Sequence, residues 1–483
     1  MTKPPIFIIG VPRSGTTLLR TMLDSHPNIA AGPETPWLCA HQPRSIGALV
    51  EYLCSDKHGF VPSYGGSRAE VIAAARAFVD SLLTGYATRR GKRRWAEKTP
   101  ENLLHLPFLI ELFPDARFIH LSREGLDVGL STSITAPHRK GISAHLERRL
   151  KLAPGLEVDN SVFNAVLRQG HWERKISAGL SGRAVLRIAY EDLVHSPERT
   201  MRGVLGFVGE PFDEAVLNYT RVAHDQPAWE WGSADVAHLA KTAGGITADR
   251  AGRAERELAS LDQEILAPLA GHPAGLYPTP AGALANSTER NSERFQRFTG
   301  WLAGLATPLG LRMPTGESDA WELPWIWFGA LASQRWPGSR LVDFGSGNSP
   351  LPWLAALLGA HVTLVNSDAQ WLPHWHKLRN GLGVQVDWQT AEPGKATLAD
   401  AVADVVTGSA RSWRPMAVEE AAKVLKRGGL FAASATIGSP ADLRGLEDSV
   451  WLHPSFGQRE RPAWTGSPLA AGPSVAAAVL RKV

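Results

Sequence analysis

The sequence predicts an α/β protein made of two consecutive units, each built on a largely parallel sheet. Three observations predict it. An apolar run, Ile6-Phe7-Ile8-Ile9, enters a loop with glycines at Gly10 and Gly15 and then a helix. From Ile6 to about residue 278 short strand-type runs alternate with helical intervals, the signature of a parallel sheet. After residue 316 the alternation starts again around a second glycine loop, Asp343-Phe344-Gly345-Ser346-Gly347.

In the first half, strands are expected at Ile6–Ile9, Arg94–Ala96, Ala116–Leu121 and Ala184–Ala189, with helices at Asn164–Leu180 and Arg250–Leu269. The stretch from His272-Pro273 to Asn286-Ser287-Thr288 is rich in turn formers and reads as a boundary. Residues 289–312, with Phe295, Phe298, Trp301, Leu302 and Leu305, read as a bridging helix. The second unit's strands are expected at Arg340–Phe344, His361–Asn366, Val384–Trp388, Asp404–Thr407 and Leu430–Ala433, with 463–475 loose. The resulting division is 1–280, a linker at 281–316, and 317–483.

Composition bounds the function. The chain has 483 residues, 44% hydrophobic and 20% charged, as in a soluble globular protein of two or three domains. A net charge of +4 suits an anionic ligand and is too small to call for nucleic acid. Arg89-Arg90-Gly91-Lys92-Arg93-Arg94 reads as a solvated basic loop. Two cysteines, Cys39 and Cys54, exclude a disulfide framework and a cysteine-rich metal site, and no metal is expected. No signal peptide and no run long enough to span a bilayer is seen, so a cytoplasmic location is expected. Trp321 to Trp327 read as core, with Trp229-Glu230-Trp231 a second tryptophan cluster.

The loop Gly10-Val11-Pro12-Arg13-Ser14-Gly15-Thr16-Thr17 has the spacing of a phosphate-cradling G-x-x-x-x-G-K-[ST] loop with one substitution. Thr16 stands where a nucleotide hydrolase carries lysine, and Arg13 sits inside the loop instead. Backbone N–H groups at such a junction converge on an anion, aided by the helix dipole. A phosphate-like group is expected there, rather than the β/γ-phosphates of a magnesium nucleotide. An NTP-dependent kinase or regulator is the competing class, opposed by the missing loop lysine.

Pro12-Arg13-Ser14-Gly15-Thr16-Thr17-Leu18-Leu19, followed by Met22-Leu23-Asp24-Ser25-His26-Pro27 and Gly32-Pro33-Glu34-Thr35, resembles the sulfotransferases that use 3′-phosphoadenosine 5′-phosphosulfate (PAPS). It is most similar to the tyrosylprotein-sulfotransferase branch and its bacterial relatives. The resemblance implies that Arg13, Ser14, Gly15, Thr16 and Thr17 hold the 5′-phosphosulfate. It implies that Arg123 and Ser131, after the strand Ala116–Leu121, hold the 3′-phosphate. An arginine fork suits a dianion through bidentate, charge-assisted bonds. The family's Asp-Pro or Asp-Gly after that arginine is Glu124-Gly125 here. Tyr190, in Tyr190-Glu191-Asp192-Leu193, falls where the family places a tyrosine near adenine. Glu34 aligns with the family's catalytic base, against the alternative of a helix-capping carboxylate before Thr35. Lys98, in Trp95-Ala96-Glu97-Lys98-Thr99-Pro100, aligns with the lysine that faces the bridging oxygen, and Arg13 assists it. A further family serine falls on Ser233 or Thr242.

The second loop resembles motif I of class I S-adenosylmethionine (SAM) methyltransferases, with Ser349 expected to cap a helix that Pro350 begins. The stretch 421–430 resembles the late helix–turn–strand of that fold. Possible SAM-binding residues are Asp343, Gly345, Gly347, Asn366 and Asp368. Three features depart from the pattern: Ser349 replaces the third glycine, Asn366 replaces the ribose-binding carboxylate, and no aspartate follows the third strand. Two readings stay open, a working methyltransferase and a degenerate domain. His374-Trp375-His376 reads as stacking or surface residues. The expected protein is a PAPS-dependent sulfotransferase, releasing 3′-phosphoadenosine 5′-phosphate (PAP), fused to a methyltransferase-like domain. Its expected acceptor is a hydroxyl on a small molecule, glycan or lipid; a bifunctional enzyme is the alternative.

Overall fold

The computed structural model describes residues 3–38, 45–135, 161–225, 244–272, 281–313, 317–345, 347–392, 395–408, 415–437, 440–458 and 474–483. The chain divides into two compact units. The first holds residues up to 135 and 172–257; the second holds 258–483 and the start of the helix Val162–Gly179.

The first unit is a five-stranded sheet of β1 (Ile6–Ile9), β2 (Ile29–Ala31), β3 (Arg94–Glu97), β4 (Arg117–Ser122) and β5 (Val185–Ala189), in the order β2-β3-β1-β4-β5. Every pair is parallel. β1 is central and apolar on both faces, as a strand covered twice must be. Ile6 and Ile8 join Leu19, Met22 and Leu23 of the helix Thr16–Asp24 in one core cluster. On the opposite face Phe7 stacks with Phe118 at 5.7 Å and meets Trp95 edge-on at 5.7 Å. Because the strands are parallel, their carboxyl ends share one edge, where open α/β sheets bind ligands. β2 was not expected from the sequence; three residues are too few for a period to show.

The second unit is a seven-stranded sheet of β6 (Ala281–Leu284), β7 (Arg340–Phe344), β8 (His361–Val365), β9 (Val386–Gln389), β10 (Ala403–Gly408), β11 (Leu425–Ile437) and β12 (Ser474–Arg481). The order is β6-β12-β11-β10-β7-β8-β9. β7 to β11 pair in parallel, while β12 runs antiparallel between β11 and β6.

Three expectations are corrected here. Residues 281–316 do not serve as a linker: β6 pairs with β12, and Glu293–Ala306 buries Phe295, Phe298 and Leu302, with Phe298 stacked on Trp327 at 5.4 Å. Of the stretch expected to be loose, 463–473 lies outside the described residues, and its last two residues, Ser474 and Val475, already belong to β12. Ala476, Ala477 and Ala478 are fully enclosed, and such an alanine run carries little strand signal in sequence. Finally, the long helix expected at Arg250–Leu269 is two short ones, Arg253–Glu257 and Ser260–Leu266, separated where Ala259 turns extended (ψ 145°). Trp321, Trp325 and Trp327 are buried, as the core reading requires, whereas Trp229 to Trp231 lie outside the described residues. No helix among the described residues is long and apolar enough to cross a membrane.

Candidate active site

Each strand of the first sheet delivers a sequence-predicted residue just past its carboxyl end. The Gly10–Thr17 loop follows β1, Glu34 follows β2, Lys98 follows β3, Arg123 follows β4 and Tyr190 follows β5. The phosphate loop is conformationally tight. Arg13 has φ 79° and Gly15 φ 94°, left-handed values that L residues adopt at a cost and that cluster at functional sites. A Cβ on Gly15 would fall 2.5 Å from the Tyr190 ring, so the position needs glycine twice over. The Ser14 hydroxyl is buried and has no hydrogen-bond partner among the described residues.

A cavity opens at this edge, lined by Arg13, Gly15, Thr16, Thr17, Arg123, Ser131 and Tyr190, and also by Leu18, Tyr219, Gly245, Thr247 and Arg250. Arg13 donates from Nε to the Ser131 hydroxyl at 3.3 Å. Arg123 donates to the Arg13 carbonyl at 3.2 Å and to the Arg250 carbonyl, and its guanidinium lies 4.6 Å over the Tyr190 ring. Burial raises the Tyr190 phenol above its usual value, with the neighbouring Arg123 opposing the shift. These contacts gather the expected anion-binding residues. Ser14, Glu34 and Lys98 are not part of the lining.

Tyr219, Gly245, Thr247 and Arg250 escaped the sequence reading because they sit on segments without a motif. What brings one of those segments in is Asp127, fully buried, one turn after Arg123. Its carboxylate accepts the Arg123 guanidinium at 3.1 Å and the backbone N–H groups of Gly252 at 2.9 Å and Ala254 at 2.7 Å. The i,i+4 spacing of Arg123 and Asp127 was a signal available in sequence. Glu124, the departure from the family pattern, caps the same helix by accepting the Asp127 N–H at 2.9 Å. Its own N–H goes to Glu191 at 3.1 Å.

Glu34 is not a helix cap. It is ion-paired with Lys98, whose side chain is 3% exposed against 41% for Glu34. The turn before Glu34 is held by the buried Arg20, which donates to the carbonyls of Ala31 at 2.9 Å and Gly32 at 3.2 Å. The basic run also needs correction, since much of it is internal. Lys92 and Arg90 pair with the buried Asp24, and Arg94 donates to the carbonyls of Pro4 and Val208. Ser233 and Thr242 lie outside the described residues.

In the second unit, Gly345 and Gly347 take left-handed φ of 70° and 61°, the tight turn expected after β7. The polar side chains expected at a SAM site each hold an internal hydrogen bond. The Asp343 carboxylate accepts the Thr407 hydroxyl at 2.7 Å. Asn366 Oδ1 accepts the Asp368 N–H at 2.9 Å. Asp368 in turn caps the short turn Ala369–Trp371 by accepting the Gln370 N–H at 3.0 Å. Ser349 occupies the N-cap position before Pro350, but its hydroxyl makes no capping bond. His376 stacks edge-on against Trp388 at 4.4 Å, the stacking role expected for that run.

The parallel sheet thus carries an arginine-bearing glycine loop and a second arginine–serine pair at one edge. Residues 4–214 match the model of the Sulfotransferase family. Among curated proteins the chain is 29% identical over 228 residues to Protein-tyrosine sulfotransferase A of Caenorhabditis elegans, covering 46% of this chain and 54% of that one. The chain thus spans about half the length of the curated relatives it matches. Among solved structures, the sulfotransferase domain of the Synechococcus PCC 7002 olefin synthase is 22% identical, covering 54% of this chain and 90% of that one, at a TM-score of 0.33. A SAM-dependent methyltransferase from Aquifex aeolicus is 18% identical, covering 30% of this chain and 84% of that one, at a TM-score of 0.23.

Proposed function

We propose that the first unit transfers a sulfuryl group from PAPS to an acceptor hydroxyl. The observation that carries this reading is the cavity at the carboxyl edge of the sheet. It joins Arg13 and the Thr16-Thr17 hydroxyls to Arg123, Ser131 and Arg250, with no acidic side chain in its lining. That chemistry suits a ligand with two separate anionic groups. The loop residues and the unpartnered Ser14 hydroxyl suit the 5′-phosphosulfate; Arg123 and Ser131 suit the 3′-phosphate, and Tyr190 the adenine.

In the reaction the acceptor oxygen bonds to sulfur as the bond from sulfur to the bridging oxygen breaks, releasing PAP. Glu34, the more open member of its pair, takes the acceptor proton. The Lys98 ammonium and the Arg13 guanidinium balance the charge growing on the departing phosphate. A loose, in-line transfer makes positioning and electrostatics the main contributions, and a sulfuryl group carries less charge than a phosphoryl group. Side-chain cations then take the part a metal plays in phosphoryl transfer.

We read the acceptor as a hydroxyl on a small molecule, glycan or lipid; the relatives named for protein tyrosine make a tyrosyl phenol the rival. The second unit reads as a methyltransferase-like fold that does not turn over SAM, because Asn366 replaces the ribose-binding carboxylate and its Oδ1 already accepts the Asp368 N–H, while Asp368 accepts the Gln370 N–H. Calorimetry of the full chain with PAP in EDTA tests the donor site. PAP binding without metal supports the reading; tight magnesium–ATP binding with no response to PAP replaces it with the kinase class.

A further inference from the structure

We infer that Glu97 is a positioning residue that locks the Glu34 and Lys98 loops into one frame. This deepens the sulfotransferase reading and rests on it for the roles of Glu34 and Lys98.

Glu97 is the last residue of β3, 2% exposed, and directly precedes Lys98. Its carboxylate receives three donors from two other segments and its own strand end. The Thr35 hydroxyl donates to Oε1 at 2.8 Å, the Thr99 hydroxyl donates to the same oxygen, and the Asn102 amide donates to Oε2. The Thr35 N–H then donates to the Thr99 hydroxyl oxygen at 2.7 Å, closing the ring. Thr35 is the neighbour of Glu34, and Thr99 the neighbour of Lys98. The backbone on each side of the Glu34–Lys98 ion pair is therefore tied to one buried carboxylate.

A carboxylate is an unusual choice for such a place. Burial pushes the Glu97 carboxyl up to about 7, opposed by the two threonine hydroxyls and by Lys98. A group that carries a desolvation cost needs a compensating role, and three converging donors on an acceptor-only side chain specify one geometry. Without the frame, Lys98 is a flexible stem whose ammonium is held by Glu34. Positioning within about half an ångström is what such a pair requires to act on a transferring group.

The test is trace acetylation of lysines in the full chain, read peptide by peptide by mass spectrometry, on wild type, Glu97→Leu, Glu97→Gln, Thr35→Val and Thr35→Ser. Lys92, held by Asp24 elsewhere, is the internal control. Lys98 should label about tenfold faster in Glu97→Leu and Thr35→Val, as expected for local opening, with Lys92 unchanged. Glu97→Gln keeps the one oxygen that accepts from Thr35 and Thr99, and Thr35→Ser keeps the hydroxyl, so both should label within about twofold of wild type. Unchanged Lys98 labelling in Glu97→Leu and Thr35→Val overturns the inference, and so does a parallel rise at Lys92, which marks general loosening. If Glu97→Leu does not fold, the Thr35 pair decides alone. PAP calorimetry on wild type separates the two levels: absence of PAP binding defeats the sulfotransferase reading, while the labelling still scores the frame.

Discussion

At the residue scale, the carboxylates near the site divide the work by environment. Glu34 is open and paired, Asp127 is buried and saturated with donors, and Glu97 is buried and close to neutral in its titration. Glu34→Gln should abolish turnover while PAP affinity changes by no more than a few fold, since Glu34 lies outside the cavity lining. Arg123→Ala should do the reverse, weakening PAP by about 2 kcal/mol or more through lost charge-assisted bonds. Steady-state kinetics beside calorimetry distinguishes the two; near-normal kcat in Glu34→Gln would remove it as the base. Glu97 adds a pH signature. Burial lifts its carboxyl from the ordinary glutamate value of 4.5 to about 7, so its contribution to stability is fully present below about pH 4.5 and is lost as pH rises through 7. The loss is up to about 3 kcal/mol. Glu97→Gln cannot titrate and should flatten the fall in stability between about pH 5 and 8. Parallel pH profiles for wild type and variant in denaturant melts would contradict this assignment.

Among the elements, strands were easier to read than the segments between them. β1 and β7 are apolar runs with a glycine loop behind them, and both match the expected spans, Ile6–Ile9 and Arg340–Phe344. The Arg253–Glu257 segment shows the opposite case. Its place at the site depends on Asp127, whose partners are backbone N–H groups that any sequence would offer. Asp127→Asn presents an amide where Arg123 and Gly252 both donate. It should weaken PAP by about 1–2 kcal/mol while leaving the acceptor KM unchanged. Calorimetry and a KM-against-kcat comparison check this; unchanged PAP affinity would show that the Arg250 segment is not held through Asp127.

At the scale of the whole molecule, the second unit's sheet sets its own boundary. β12 has β6 as its outer partner, so a fragment beginning at residue 317 leaves β12 as an unpaired edge. Fragment 317–483 should melt lower and aggregate more readily than 281–483, checked by thermal unfolding and light scattering. Equal behaviour of the two would mean β6 is dispensable. The same unit tests the SAM reading. Full-chain titration should show little SAM binding, and Asn366→Asp should improve it by about 1.5–3 kcal/mol, because a carboxylate accepts both ribose hydroxyls. Micromolar SAM affinity in the unaltered chain would instead favour a bifunctional enzyme.

The sequence by itself determined the two α/β units, the phosphate loop and the residues expected around a PAPS-like donor. The units and the loop follow from local signals, apolar runs and glycines that must turn, whereas the donor-site residues are what the family resemblance implies. Tertiary structure alone decided that β6 and the alanine-rich β12 complete the second sheet, because enclosed small residues carry no periodic signal. It also decided that Lys92 and Arg94 turn inward and that Glu97 ties two loops together. Each of these rests on hydrogen bonds between segments distant in sequence. The partners become neighbours only when β3 pairs with β1 and β2.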